Sequence, residues 1–196
     1  MSRKRYHHGN LKQEIIKESL QQLNLVGADK LSFRTIAKNL GVVSSAPYNH
    51  FESKNQLFKE LINIGTETLL KKMKNEKIKK ILPSEQLSYT ARAYLKFSLE
   101  EKELFSLMFS NNNLEIKKLI DTISSQFLDI VKEKFKDGSR VRVTEKGASM
   151  TAWAMVHGLA KLAGNDNLEE IEKNVELKFD EIFNQMSAIW GKGVAN

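Results

Sequence analysis

Four histidines, at positions 7, 8, 50 and 157, are the side chains best suited to acid–base or metal chemistry near neutral pH, and their spacing forms no ligand set. The chain has no cysteine, which removes disulfides, thiolate metal sites and cysteine nucleophiles together. It has no glycine-rich phosphate loop, and no Ser/His/acid constellation can be assembled from it. The expectation is a protein that is not an enzyme and that holds no metal and no cofactor. Charge is the chemistry that remains. Residues 1–82 carry 16 Lys/Arg against 7 Asp/Glu, a net +9, whereas residues 83–196 carry a net −2. A basic head on a near-neutral body is what a polyanion-binding module looks like. A solvated lysine face would give the same count, so charge alone leaves both readings open.

The elements that would position such a head are helices. Hydrophobic residues make up 41% and charged residues 28%, a soluble globular balance, and only Pro47 and Pro83 interrupt runs rich in Leu, Lys, Glu and Ile. Asn10 is placed to cap a first helix over about 11–26, with Leu11, Ile15, Leu20 and Leu23 near one face and Gly27 as its stop. Ser32 caps a short second helix in which Phe33, Ile36, Ala37 and Leu40 follow the i, i+3, i+4, i+7 pattern, ended by Gly41. A very short third helix follows around 45–50. Ser53 then caps a long fourth that can run until Pro83 forbids continuation. Beyond it, helices are predicted over about 84–101, 102–110, 114–136, 144–164 and 168–190, with polar breaks at 111–113, 137–139 and 164–167. That makes an all-α chain of about nine helices, divided into a basic head of short helices over 1–53, a connecting helix over 54–82 and a longer helical domain over 83–196. No apolar run reaches the ~20 residues of a membrane span, and the basic, polar start is no secretory signal. A cytoplasmic protein with no membrane partner is expected.

A short helix, a glycine turn and a second short helix can set one helix in a major groove while the other braces it across the backbone. Here the residues say more than the periodicity. The run Ser32-Phe33-Arg34-Thr35-Ile36-Ala37-Lys38-Asn39-Leu40-Gly41-Val42, followed by Pro47-Tyr48-Asn49-His50-Phe51-Glu52-Ser53-Lys54-Asn55-Gln56-Leu57, resembles the N-terminal domain of TetR-type repressors at each fixed position of that pattern. Tyr6-His7-His8-Gly9-Asn10-Leu11 resembles the entry to helix one in a branch of the family. The resemblance implies phosphate contacts from Tyr48, His50, Lys54 and Thr35. It implies base-edge contacts from Arg34, Ser44, Ser45, Ala46 and Asn49, with Pro47 touching a thymine methyl. Tyr48 is equally readable as a packing residue with a wet hydroxyl. The basic arm Ser2-Arg3-Lys4-Arg5 reads either as a minor-groove arm or as a solubilising tail.

The sequence departs from the family at Val43, where the pattern carries a Ser or Thr that caps the reading helix. Valine cannot accept the orphan N–H groups of a helix start. Were Val43 the cap, Pro47 would fall where an N–H must bond back to the cap carbonyl. A cap at Ser44 instead puts Pro47 in the first turn, where its missing N–H costs nothing. The reading helix is therefore expected to begin one residue late.

In the second half, Trp153 and His157 lie one turn apart, and Gly158 leaves room for another backbone. With Ala93–Phe97 and Glu103–Ser110 they resemble the TetR C-terminal class named for its Trp-His-Gly motif. Aromatic and methionine side chains gather here and read either as plain core or as an adaptable apolar pocket. Phe105, Met108, Phe109, Trp153 and His157 are the candidate ligand contacts, for a small apolar or amphipathic effector. The resemblance implies a homodimer through the last two helices, binding palindromic double-stranded operator DNA as a ligand-responsive repressor. An activator, or an interaction protein of the same fold without an effector, is the alternative.

Overall fold

The computed structural model describes residues 10–74, 82–110, 116–135, 143–164 and 167–194, and for residues 83, 84, 134 and 194 the backbone alone. The arm at 2–5, the entry at 6–9, residues 75–81 of the predicted connecting helix, and the breaks at 111–113 and 137–139 lie outside the described residues. Among those described, the chain is all-helical, with nine α-helices and one 3-10 turn. They are α1 (Leu11–Lys30), α2 (Phe33–Leu40), the 3-10 turn Ala46–Asn49, α3 (Lys54–Met73), α4 (Pro83–Glu100), α5 (Lys102–Met108), α6 (Ile116–Phe135), α7 (Glu145–Ala163), α8 (Leu168–Val175) and α9 (Phe179–Val194). None is long and apolar enough to cross a membrane.

The chain divides into two compact units. The first is Met1–Thr66 with Glu103–Leu114, and the second is Glu67–Lys102 with Glu115–Asn196. The unit boundary thus falls inside α3, and α5 belongs with the first unit although it lies far along the sequence.

In the first unit, Gly27 does break α1: its φ of 75° is left-handed, and one further turn follows to Lys30. The buried face of α1 is Ile15, Ile16, Ser19, Gln22 and Leu23, a stripe turned slightly from the expected one. Asn10 caps through its backbone only, its carbonyl accepting the Glu14 N–H at 3.1 Å. Ser32 caps α2 as expected, its Oγ accepting the Thr35 N–H at 3.2 Å. At the other end Gly41 adopts φ 69°. Its N–H and that of Val42 bond back to Lys38 and Ala37, which satisfies the last carbonyls in a Schellman closure. Ser53 Oγ accepts the Gln56 N–H at 3.3 Å, and Gln56 Oε1 accepts the Glu52 N–H at 2.6 Å, so α3 starts with reciprocal capping. α5 sits close on α3 because residue 65 is glycine: a Cβ there would lie 2.7 Å from Met108 Sδ and 3.1 Å from Leu104 Cγ.

The second unit is built on α4, α6 and α7, which pack on one another, with α8 and α9 added against α7. Tyr94 and Phe97 of α4, Ile123, Phe127 and Val131 of α6, and Val156 of α7 are completely buried. The single last helix expected over 168–190 is two. Glu176 turns left-handed (φ 55°), and the Glu172 carboxylate accepts the Phe179 N–H at 2.8 Å and pairs with the Lys178 ammonium at 3.1 Å. An acidic side chain from α8 therefore caps α9, a partnership across the helix break that the apolar repeat across 175–190 does not reveal.

Candidate nucleic-acid interface

Between Gly41 and Phe51 the backbone forms less helix than the sequence predicts. Only Ala46–Asn49 is helical, in 3-10 form, and Ser45 precedes it without a side-chain cap. The start is therefore later than Ser44, and the expected cap by Ser44 is replaced by backbone closure. The Val43 carbonyl accepts the Ala46 N–H at 2.9 Å, three residues on. An α-helical partner four residues on would have to be Pro47, which has no N–H, so the tighter spacing is the one the sequence permits. Tyr48 N–H to Ser45 and His50 N–H to Pro47 continue the 3-10 pattern, each at 3.1 Å.

This geometry sorts the predicted contact residues. Arg34 and Thr35 at the start of α2 are exposed, as are Ser44, Ser45, Tyr48, Asn49 and His50. Ala46 and Pro47, also expected at base edges, are buried, their side chains turned onto the unit's interior. Thr35 Oγ1 lies 2.8 Å from Ser32 Oγ, so its hydroxyl is held in place at the helix start. Tyr48 packs and stays exposed at once. Its ring packs edge-on against Phe33 at 4.8 Å between centroids, and Phe33 in turn stacks on Phe51, yet 58% of the residue stays exposed. Lys54 is half-buried, over the Phe58 ring at 5.2 Å, and its ammonium donates to the Asp29 carbonyl at 3.1 Å. That bond satisfies a carbonyl in the turn after Gly27 and uses one of the three ammonium protons.

The predicted ligand residues fall in both units. Phe105 and Met108 are buried in the first, Met108 against Gly65, and Phe109 is half-buried with its ring 4.9 Å from that of Phe105. Trp153 and His157 belong to the second, their rings 6.0 Å apart. There the His157 Nδ1 lies 2.7 Å from the hydroxyl of Tyr94. Burial pushes that phenol well above its usual range, and burial, helped by the Lys161 charge, lowers His157. The Trp153 indole N–H is close to the same hydroxyl but buried without hydrogen-bond geometry to any acceptor. The second unit also contains a partly open cavity of about 60 Å³, which the sequence did not locate, lined by Leu87, Phe127, Met155, Phe183, Met186 and Trp190 with the hydroxyls of Ser88 and Ser187 beside them. Its lining comes from four helices, α4, α6, α7 and α9, so no single stretch of sequence carries its signal. Among the described residues, no group of three or more His, Asp or Glu side chains is placed to hold a metal ion.

Residues 15–61 match the model of bacterial regulatory proteins of the tetR family, and residues 87–186 match that of the tetracyclin repressor-like C-terminal domain. The chain is 29% identical over 164 residues to the nucleoid occlusion factor SlmA of Vibrio campbellii, across 76% of this chain and 81% of that one. A solved protein of unknown function from Rhodococcus sp. RHA1 superposes with a TM-score of 0.78 at 24% identity, covering 99% of this chain and 100% of its own. The TetR family transcriptional regulator PfmR from Thermus thermophilus superposes with a TM-score of 0.68 at 19% identity, covering 93% and 99%. The two domain models together span the helix-turn-helix head and most of the helical body, and the chain belongs to the TetR family of DNA-binding bacterial regulatory proteins.

Proposed function

We propose that the chain is a homodimeric repressor that binds palindromic operator DNA and is controlled by a small apolar or amphipathic effector. The observation that carries this reading is the exposed edge of the first unit. Hydroxyl, amide, guanidinium and imidazole side chains crowd onto the start of α2 and the 3-10 turn, in the basic part of the chain. Such groups suit phosphate and base-edge contact, with Thr35, Tyr48, His50 and Lys54 on the backbone and Arg34, Ser44, Ser45 and Asn49 toward the bases. Two modules related by a dyad would read half-sites about one helical turn apart.

The dimer rests on an unpartnered stripe of α7 and α9. Met150, Ala154 and Leu162 are exposed on one face of α7 with Gly158 between them, and among the described residues no neighbouring element comes within 4 Å of a Cβ built at Gly158. Ala188 and Ile189 are exposed on α9. Small and apolar side chains at this spacing let a second helix pair approach closely. The effector is assigned to the second unit. Its cavity has no charged side chain in its lining, and Met155 and Met186 can adapt to an apolar body while Ser88 and Ser187 offer hydroxyls. Trp153 and His157 are retained as candidate contacts in that unit, and Phe105, Met108 and Phe109 as candidates in the first.

Replacing Lys54 with Ala should weaken binding to selected and unrelated duplexes alike. It should also reduce the log–log salt slope by about 1.8 for a dimer, at ~0.9 per phosphate contact. An unchanged slope would remove Lys54 from the DNA backbone. A second reading is favoured by the relatives named as nucleoid occlusion factors: a DNA-binding interaction protein without an effector. Mapping the bound sites across the genome separates the two. A few sites, each at a promoter, support the repressor; many sites scattered away from promoters support the alternative.

A further inference from the structure

Val43 is 71% exposed, and it opens the segment that the first unit presents as its reading edge. Its carbonyl accepts the Ala46 N–H, which makes it the first residue of the turn leading into the 3-10 helix. Ser44 and Ser45 beside it are exposed, whereas Ala46 and Pro47 are turned inward. The apolar contact to a base that the sequence offered through Pro47 is therefore not available from Pro47. Between Gly41 and His50 the exposed aliphatic side chain is that of Val43.

Burying this side chain within the unit would remove its apolar surface from water, and the fold does not do so. The position instead leaves two stiff γ-methyls in solvent on the edge that faces DNA under the function proposed above. A β-branched side chain has little rotamer freedom to lose on contact. In the major groove the one apolar group that differs among base pairs is the C5-methyl of thymine. In helix-turn-helix proteins the residues at the N-terminal edge of the reading helix are those that meet base edges. We propose that Val43 is a specificity-determining residue that reads a thymine methyl in each half-site. It does so at a position where the family pattern carries a hydroxyl. This inference rests on the DNA-binding reading and adds to it a defined base and a defined chemical group.

The test starts by selecting duplexes from a random library with the full-length wild-type chain. Each thymine of the selected site is then replaced by deoxyuridine, which removes only the methyl. At one thymine position per half-site the wild type should lose roughly fourfold in affinity, and about fifteenfold when both half-sites are changed, the worth of one buried methyl-sized group at each. Val43→Ala should bind the thymine and deoxyuridine duplexes equally, and Val43→Thr, which keeps one γ-methyl, should retain part of the preference. Because the residue is exposed, both variants should unfold at the wild-type denaturant midpoint, and that measurement accompanies the binding. Indifference of the wild type to every substitution, or an unchanged preference in Val43→Ala, overturns the inference and leaves the DNA-binding reading standing. Failure to enrich any duplex overturns both.

Discussion

The two units keep their polar chemistry in opposite places. In the first, the side chains suited to a partner lie outside: Arg34, Thr35, Ser44, Ser45, Asn49 and His50 are exposed, over a small core in which Phe33, Ile36, Phe51 and Leu57 are buried. In the second, the polar groups of interest lie inside, with the Tyr94 hydroxyl against His157 and the Trp153 indole N–H beside them without an acceptor. A surface that meets DNA can display its donors in water at no cost until they bind. A body whose interior holds donors must satisfy them or carry a penalty of roughly 1–3 kcal/mol for each one left unmade. The first arrangement suits the DNA contact proposed above. In the second, any change inside must be absorbed by the packing.

The largest effect should come from breaking the body's core. Phe127 is completely buried and meets the Tyr94 ring at 6.4 Å. Phe127→Ala should cost about 3–5 kcal/mol in denaturant unfolding. Trp153 and Trp190, the chain's two tryptophans, both belong to the second unit, so their fluorescence follows that unit alone. If the units are separate cooperative blocks, the fluorescence transition moves while the amides of α2 keep their hydrogen-exchange protection. Equal loss of protection in α2 would make the chain one block and erase the contrast.

A smaller effect sharpens the head's side of the comparison. Ser32 caps α2 through its side chain, and Ser32→Ala should lose about 1 kcal/mol. Val43→Ser, which restores the residue type the family pattern carries, should gain less than about 0.5 kcal/mol. The Ala46 N–H is already taken by the Val43 carbonyl, and the short 3-10 turn leaves a new hydroxyl little to cap. A gain near ~1 kcal/mol on unfolding would show that the turn lengthens into a helix when a cap is supplied.

How far each unit could be read from sequence follows from the same contrast. Ser32, Gly41 and Ser53 act within three or four residues of themselves, so their roles were legible, and so was the order of the helices. The 3-10 form of the reading turn was half legible. Pro47 announces that an N–H is missing, but whether the chain answers with a later cap or a tighter turn depends on Ala46 and Pro47 being drawn into the interior. In the body the decisive partnerships reach past a single helical turn: Glu172 caps α9 seven residues on at Phe179, Tyr94 meets His157 from another helix, and a cavity is lined from α4, α6, α7 and α9. Trp153 and His157 could be singled out by their spacing, but not the tyrosine 63 residues away that meets one of them. Likewise the sequence divided the chain linearly, whereas Gly65 lets α5 pack onto α3 within the first unit.

The smallest expected effect tests the body's interior directly. Burial, and secondarily the Lys161 charge, hold His157 below the usual histidine value, so the folded state prefers the neutral imidazole hydrogen-bonded to the Tyr94 hydroxyl. The unfolded chain has the ordinary value of about 6.5 and so binds more protons than the folded chain in the acid range. The stabilisation is therefore complete above about pH 6.5 and is lost progressively as pH falls through that value toward the lower folded one. Tryptophan-detected unfolding at a series of pH values from about 8 to about 5 should show the wild type losing stability faster than His157→Gln, whose amide can donate to or accept from Tyr94 but does not titrate. Lys161→Gln should lie between them, because it removes the secondary cause and leaves burial intact. Parallel pH profiles for wild type and His157→Gln would mean that the imidazole is not held neutral by its surroundings, and that the body's interior is no more selective about charge than the exposed edge of the head.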